Sequence, residues 1–282
     1  MIGFGPGDER YPRRLLDLRD PPNPLWVDGD LAALASRAVS VVGTRRMTPY
    51  GARVARELGA ALAEAGMVVV SGLAQGVDTA AHEGALSAGG ETVAVLGAGI
   101  ASYLEGARGK RRRLAYAIRA CGALVSEFPP GAPAQRWTFA QRDCTIAALA
   151  EATVVVEAPV DSGALITAAE ARRLRRPLYA VPGPIGAAAS AGTNELIASG
   201  QARALTGAPM LLAALGPRGP ARVEDEPGDD ARVLDALAAS PCDPDALARQ
   251  LGLSTAALAA IVARLAMRGR IGTVADGRLA RR

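Results

Sequence analysis

Between residues 38 and 181 the chain carries six short apolar, mostly β-branched runs, each stopped by a glycine, proline or small-residue turn. They are Ala38 to Val42, Met67 to Val70, Thr92 to Leu96, Ala123 to Val125, Thr153 to Val156 and Leu178 to Val181. Runs of this length that are apolar throughout, without alternation, read as strands buried on both faces. Helical patterns lie between them. Thr48-Pro49 offers an N-cap with proline at the first helical position, and Val54, Leu58, Ala61, Leu62 and Ala65 follow at helical spacing. Val77, Ala81 and Ala85 repeat the pattern, a basic run from Arg108 to Arg113 opens a helix to about Ala120, and a further helix is expected near Thr145 to Ala150. Strands alternating with helices at this spacing predict an α/β, doubly wound, mainly parallel sheet.

Ligands of such sheets bind beyond the carboxyl ends of the strands. Here those ends are Gly43-Thr44-Arg45-Arg46, Ser71-Gly72, Gly97-Ala98-Gly99 and Pro182-Gly183. The turn Ser71-Gly72-Leu73-Ala74-Gln75-Gly76 joins a strand to a helix, where unpaired amides, small residues and the helix dipole favour an anion. A phosphate site is therefore expected at this turn. Arg45 and Arg46 read either as solvated surface charges or as phosphate ligands. Their place beside the glycine turn favours the second, because guanidinium fits phosphate in a bidentate way. Lys110 to Arg113 form an exposed helix face that can also track backbone phosphates. Trp137, Phe139 and Tyr103 are the aromatics near this edge, each either core or, if exposed, a surface for base stacking.

Composition removes several classes. With 282 residues, half of them apolar, the chain can bury one large domain plus a small one. A net charge of +4 and a pI near 9.3 allow a polyanionic partner without requiring one. Cys121, Cys144 and Cys242 lie far apart with no metal-ligand spacing, so they are expected as reduced, mostly buried thiols, and no metal is expected. The single histidine, His82, follows Asp78 by four residues. It is expected to bond Asp78 and order the turn, and no nucleophile completes a triad around it. Gly97-Ala98-Gly99 lacks the rest of a dinucleotide fingerprint, and Lys110 is followed by Arg111 where a P-loop needs Ser or Thr, so no cofactor is expected. No apolar run is long enough to span a bilayer, which leads to the expectation of a cytoplasmic protein with no membrane partner.

Four segments follow. Residues 1–35 hold a Pro-rich covering segment, 36–215 the sheet domain, 216–228 a linker rich in Pro, Gly and acidic residues, and 229–282 a small module. In that module Asp229 to Ala239, Asp243 to Leu251 and Ser254 to Arg268 read as helices, with Gly252 in a tight turn, Gly269 at a helix end and Asp276-Gly277 in a hairpin turn. This is the pattern of a winged helix-turn-helix. Leu258, Ile261, Val262 and Leu265 form the inward stripe of its last helix. The outward face, Ser254, Ala256, Ala257, Ala260 and Arg264, is too short to read base edges, which favours an auxiliary or partner-contacting role.

Taken in order, Val42-Gly43-Thr44-Arg45, Ser71 to Asp78 with His82, Ser162-Gly163-Ala164-Leu165-Ile166-Thr167-Ala168 and Val181-Pro182-Gly183 resemble the DNA-processing protein A family (DprA/Smf), over about residues 10 to 212. The resemblance implies an extended Rossmann-like domain, binding single-stranded DNA as a homodimer and delivering it to the RecA recombinase during natural transformation. It implies a binding protein and not an enzyme, with single-strand-binding protein as a further candidate partner. The nucleic-acid contacts it implies are Gly43, Thr44, Arg45 and Arg46 after the first strand, and Ser71, Gly72, Ala74, Gln75 and Gly76 in the turn. Lys110 and Arg111, Phe139 and Arg142, Ser162 and Gly163, and Asn194 complete the set. After Phe139 the family reads proline and then Arg-Asn-Arg, whereas this chain has Ala140-Gln141-Arg142-Asp143-Cys144, which keeps Arg142 and puts Cys144 in a basic position. The alternative is a nucleotide-hydrolysing enzyme resembling the lysine-decarboxylase-like phosphoribohydrolases, with Glu157 or Glu170 as its acid, although their Pro-Gly-Gly loop is missing here.

Overall fold

Successive residues of a strand point to opposite faces of its sheet, and here both faces of the central strands are apolar, so both must be covered. The computed structural model describes residues 1–216, 228–255, 258–259, 261–262, 265, 271–274 and 278–281. It divides into two compact units, Met1–Pro217 and Arg218–Arg282.

In chain order the first unit contains β1 (Ile2–Phe4), β2 (Leu25–Gly29), α1 (Ala32–Ala35), β3 (Ala38–Val42), α2 (Pro49–Glu64), β4 (Val68–Ser71), α3 (Val77–Ser87) and β5 (Thr92–Leu96). It continues with α4 (Ile100–Gly106), α5 (Gly109–Cys121), β6 (Ala123–Ser126), α6 (Arg136–Leu149), β7 (Ala152–Val155), α7 (Ala164–Arg173), β8 (Leu178–Ala180), α8 (Ala191–Ala198), β9 (Arg203–Ala204) and α9 (Ala208–Leu215). The strands form one nine-stranded sheet in the order β1-β2-β6-β5-β4-β3-β7-β8-β9. From β6 to β9 all neighbours are parallel, whereas β2 is antiparallel to both β1 and β6. The chain enters the parallel sheet at β3, steps outward to β6, then returns to place β7 on the other side of β3.

The register fixes the layers. Ala38, Val42, Val68, Val70, Val93, Val95 and Val155 share one core with α6, α7 and Leu15 of a 3-10 turn at Arg13–Asp17. Val39, Val41, Val69, Val154 and Tyr179 face α2, α3 and α9. Ala94, Leu96 and Leu124 continue that second face beneath α4 and α5. The sheet is thus doubly wound, as the alternation of strands and helices implies.

The short strand that the sequence offers at Leu25 to Gly29 is β2. Several elements depart from the sequence reading. The Pro-rich segment 1–35 does not merely cover the sheet but joins it, pairing β2 with β6 and adding β1 at the edge. Helix α6 begins at Arg136, well before Thr145. Its first half buries Thr138, Arg142 and Asp143 instead of an apolar stripe, so its helical period was hidden. Short α4, α8, β9 and α9 were not expected either.

Helices α2 and α3 cross with their backbones almost touching. A Cβ on Gly59 would lie 2.2 Å from the Ala81 carbonyl oxygen, and one on Gly84 would lie 2.2 Å from the Arg56 carbonyl oxygen. Glycine costs a helix about 1 kcal/mol relative to alanine, and this crossing explains why both are present.

The second unit has α10 (Gly228–Ala239), α11 (Pro244–Leu251), helical residues between Thr255 and Leu265, and an antiparallel hairpin of β10 (Ile271–Thr273) and β11 (Leu279–Arg281). Asp243 caps α11 by accepting from the Asp245 and Ala246 amides at 3.0 and 3.2 Å, and Gly252 closes it with φ 68°. Val233, Leu237, Leu247, Leu258, Ile261 and Leu265 share its core, with Val262 packed against them, so the inward stripe lies where the spacing puts it. This is a winged helix-turn-helix arrangement. The expectations for Gly269, Asp276-Gly277, Ala256, Ala257, Ala260, Arg264 and residues 217–227 of the linker fall outside the described residues.

Gly84→Ala is expected to lower stability by about 1–3 kcal/mol, although alanine is the better helix former, because its methyl group meets backbone. Urea unfolding checks this, and an unchanged or raised midpoint would contradict the crossing.

Candidate nucleic-acid interface

The strand order reverses between β3 and β7, and the loops at that point are bound to one another. The Thr44 amide donates to the Glu157 carbonyl at 2.7 Å, joining the ends of β3 and β7. The Glu157 carboxylate accepts from the Thr48 amide at 2.8 Å and from Thr48 Oγ1 at 2.5 Å. Thr48 in turn accepts from the Gly51 amide at 3.2 Å, so this pair starts α2. The Thr44 carbonyl accepts from the Val77 amide at 3.3 Å. Gly76, at φ +95°, passes so close that a Cβ there would sit 2.3 Å from the Thr44 oxygen. Thr44 is consequently buried, while Arg45 and Arg46 project into solvent without an ion pair among the described residues.

The Arg45 guanidinium lies 5.3 Å from the centroid of the Phe139 ring, in a cation–π arrangement. Phe139 is half-buried against Gly97, where a Cβ would come within 2.7 Å of the ring. Arg142, one turn further along α6, is buried. It donates to the Gly72 carbonyl, to the Val95 carbonyl at 3.0 Å and to Asp143 Oδ1 at 2.8 Å. It therefore fastens the ends of β4 and β5 together and is not a surface ligand, which corrects its expected role as a phosphate contact.

The glycine turn also differs from expectation. Asp78 Oδ2 accepts from the amides of Gly72 at 3.2 Å and Ala74 at 3.3 Å, so the chain's own carboxylate occupies the donors expected to meet a phosphate. Ser71 is buried and donates to the Val41 carbonyl at 2.7 Å. Only Gln75 is fully exposed in this turn. His82 does not bond Asp78. Its Nδ1 meets Thr92 Oγ1 at 2.6 Å, and Thr92 donates onward to the Val69 carbonyl at 2.7 Å, which assigns the imidazole proton to Nδ1. Burial, with the Arg142 charge acting in the same direction, pushes His82 down to about 3, so it is neutral.

Of the remaining predicted residues, Lys110 and Arg111 are exposed in the first turn of α5, which begins at the strand-end edge. Ser162 accepts from the Ala164 amide at 3.4 Å at the start of α7, and Gly163 is exposed beside Asp143, whose Oδ2 would lie 3.9 Å from a Cβ at that position. Asn194 both accepts from the Gly183 amide and donates to its carbonyl, each at 3.1 Å, and so holds the loop after β8. The cysteines are free, but Cys121 is exposed and Cys144 and Cys242 are half-buried, contrary to the expectation of mostly buried thiols. Cys144 packs against the core, and burial pushes its thiol up to about 11, with the Glu170, Glu127 and Asp143 charges adding to the rise and Arg173 opposing it. Glu157 holds Thr48, the N-cap of α2, and Glu170 pairs with Arg173 at 2.5 Å. Among the described residues no cluster of three or more His, Cys, Asp or Glu could hold a metal ion, and no helix is long and apolar enough to cross a membrane.

Trp137, which the sequence leaves as either core or an exposed stacking surface, is exposed in the first turn of α6. One feature escapes the sequence reading, a buried acid–arginine–acid group. Burial raises Asp78 above the usual carboxylate range, against the pull of Arg142 and the two amides. Burial also lifts Asp143 to about 6, with the Asp78 charge adding to the rise and Arg142 and Arg45 opposing it.

A doubly wound sheet whose switch point sets arginines against an aromatic ring, beside interlocked glycine turns, defines a Rossmann-like α/β protein with cations exposed at its strand ends. The chain belongs to the DNA recombination-mediator protein A family, whose model matches residues 4–216, and a DprA winged helix domain matches residues 216–277. It is 41% identical over 192 residues to Protein Smf of Escherichia coli, covering 68% of this chain and 51% of that one. Among solved structures it is similar to DNA processing protein A from Streptococcus pneumoniae, with a TM-score of 0.69, 36% identity, and coverage of 75% of this chain and 73% of that one. It is also similar to the Helicobacter pylori DNA processing protein A, described for its single-stranded DNA binding mode, with a TM-score of 0.67, 28% identity, and coverage of 76% and 94%. The chain spans about half the length of the curated relatives it matches.

The folded chain holds the Asp143 proton more tightly than the unfolded chain, because its pKa is raised from 3.8 to about 6. Its contribution to stability is therefore full at low pH and is lost as pH rises through about 6. Asp143→Asn should flatten this pH dependence, so that between pH 4 and pH 8 the variant gains on the order of 1–3 kcal/mol of stability relative to the wild type. Thermal melts of both proteins across this range check it, and parallel pH profiles would refute it.

Proposed function

We propose that this chain is a single-stranded DNA-binding protein that grips the DNA backbone at the β3–α2 loop and passes the strand to a recombinase of the RecA type. The observation that carries this reading is Arg45, an exposed cation without an ion pair among the described residues, poised over half-buried Phe139 at the sheet's switch point. Guanidinium suits a phosphodiester oxygen pair, and the ring beside it suits a base. Arg46, Lys110 and Arg111, all exposed, extend a basic track along the same edge. Gly43, Gly76 and Gly163 keep the loops low around it.

The recombination-mediator family and the binding mode described for the Helicobacter relative support the choice of ligand. Homodimer formation, contact with single-strand-binding protein, a role in natural transformation and a cytoplasmic location belong to the same proposal. Binding without catalysis is supported by the engagement of Glu157 with the α2 cap residue Thr48 and of Glu170 with Arg173, which leaves neither acid poised for hydrolysis. The winged-helix unit is assigned an auxiliary, partner-contacting role.

Arg45→Ala is expected to weaken binding to a single-stranded oligonucleotide by about tenfold at low salt and to reduce the slope of log affinity against log salt by about one. Fluorescence anisotropy with labelled oligo-dT across a salt series measures both. Unchanged affinity together with a flat salt response would overturn the reading.

A further inference from the structure

The first turn of α6 carries an aromatic that the phosphate loops do not use. Trp137 is 56% exposed, which leaves a large apolar ring in water. That ring is nevertheless held in place. Its Nε1–H donates to Gln135 Oε1 at 2.6 Å, and it meets Phe128 edge to face, with centroids 5.6 Å apart and planes at 82°. Phe128 is itself buried, with its amide on Ser126 Oγ at 3.0 Å at the end of β6. Gln135 is fixed as the N-cap of α6 by reciprocal bonds with Thr138. The indole N–H is therefore already satisfied, and what remains for a ligand is a flat, oriented π surface.

Residues two apart on a helix point to different sides. Phe139 turns toward Gly97 and Arg45, whereas Trp137 turns toward Phe128 beyond the end of β6. Both belong to the same strand-end edge, and exposed Arg136 precedes the ring.

We propose that Trp137 is a base-stacking platform, on which a nucleobase of a single strand rests while the backbone of that strand is held at Arg45. This rests on the reading that the edge binds single-stranded DNA, and adds to it a contact made with bases. Every base has a π face, so the platform tolerates any sequence. It accepts only bases freed from pairing, and so it discriminates against duplex DNA where the phosphate contacts alone do not.

The chain has two tryptophans, Trp26 and Trp137, and Trp26 packs at the sheet edge against Gly3, where it serves as an internal control. Titration of the full chain with oligo-dT should quench indole fluorescence in the wild type and leave it unquenched in Trp137→Phe. Trp137→Ala should lower oligo-dT affinity about tenfold, Trp137→Phe should retain most of it, and an abasic strand of equal length should bind wild type and Trp137→Ala alike. If oligo-dT binds with the expected salt dependence but neither quenches the wild type nor distinguishes Trp137→Ala, the platform is wrong while the phosphate reading stands. If the wild type binds no single strand, both fall. A change of oligomeric state in Trp137→Ala on size-exclusion chromatography, with DNA affinity intact, would make the ring a protein contact and also overturn the proposal.

Discussion

A guanidinium removed from water must have every donor matched to an acceptor, or its burial is prohibitively unfavourable. Arg142 meets that demand with the carbonyls at the ends of β4 and β5 and with Asp143, while the Asp78 carboxyl lies near enough to feel its charge. Much of the site's shape follows from it. The glycine turn closes on Asp78, Gly72 has no room for a side chain because a Cβ would strike the Arg142 guanidinium, and Phe139 is propped between Arg142 and Arg45. An internal charge network thus forms a floor over which exposed cations stand.

That floor also explains why the site has separate buried and exposed layers. Ser71, Gly72, Asp78 and Arg142 are buried and bonded to one another or to strand ends. Arg45, Arg46, Gln75 and Gly163 are the exposed layer. The polar residues of a strand-end motif therefore fall into two groups, those that hold loops and those that can meet a ligand, and only burial separates them.

Much of the framework was legible from the residues. β-branched runs such as Val39 to Val42 can hardly be anything but buried strands, and Thr48-Pro49 starts α2 by its own chemistry. What could not be read was which polar groups would pair across the sheet. Asp78 and His82 share a helix spacing, yet His82 bonds Thr92 of the neighbouring strand, a partner fixed by the tertiary register and not by local spacing. Helix α6 was half hidden because its buried face is polar, so the expected apolar rhythm is absent where the site needs Arg142 and Asp143. Asn194 looked like a pocket residue and is a backbone clamp, since an amide side chain satisfies a peptide group as readily as a ligand.

The touching backbones of α2 and α3 have a consequence for how the crevice can move. Each helix carries one of the two interlocked turns at its start, and a crossing through Gly59 and Gly84 leaves no slack for one to slide over the other. The turn bearing Arg45 and the turn closed by Asp78 are therefore displaced as one piece.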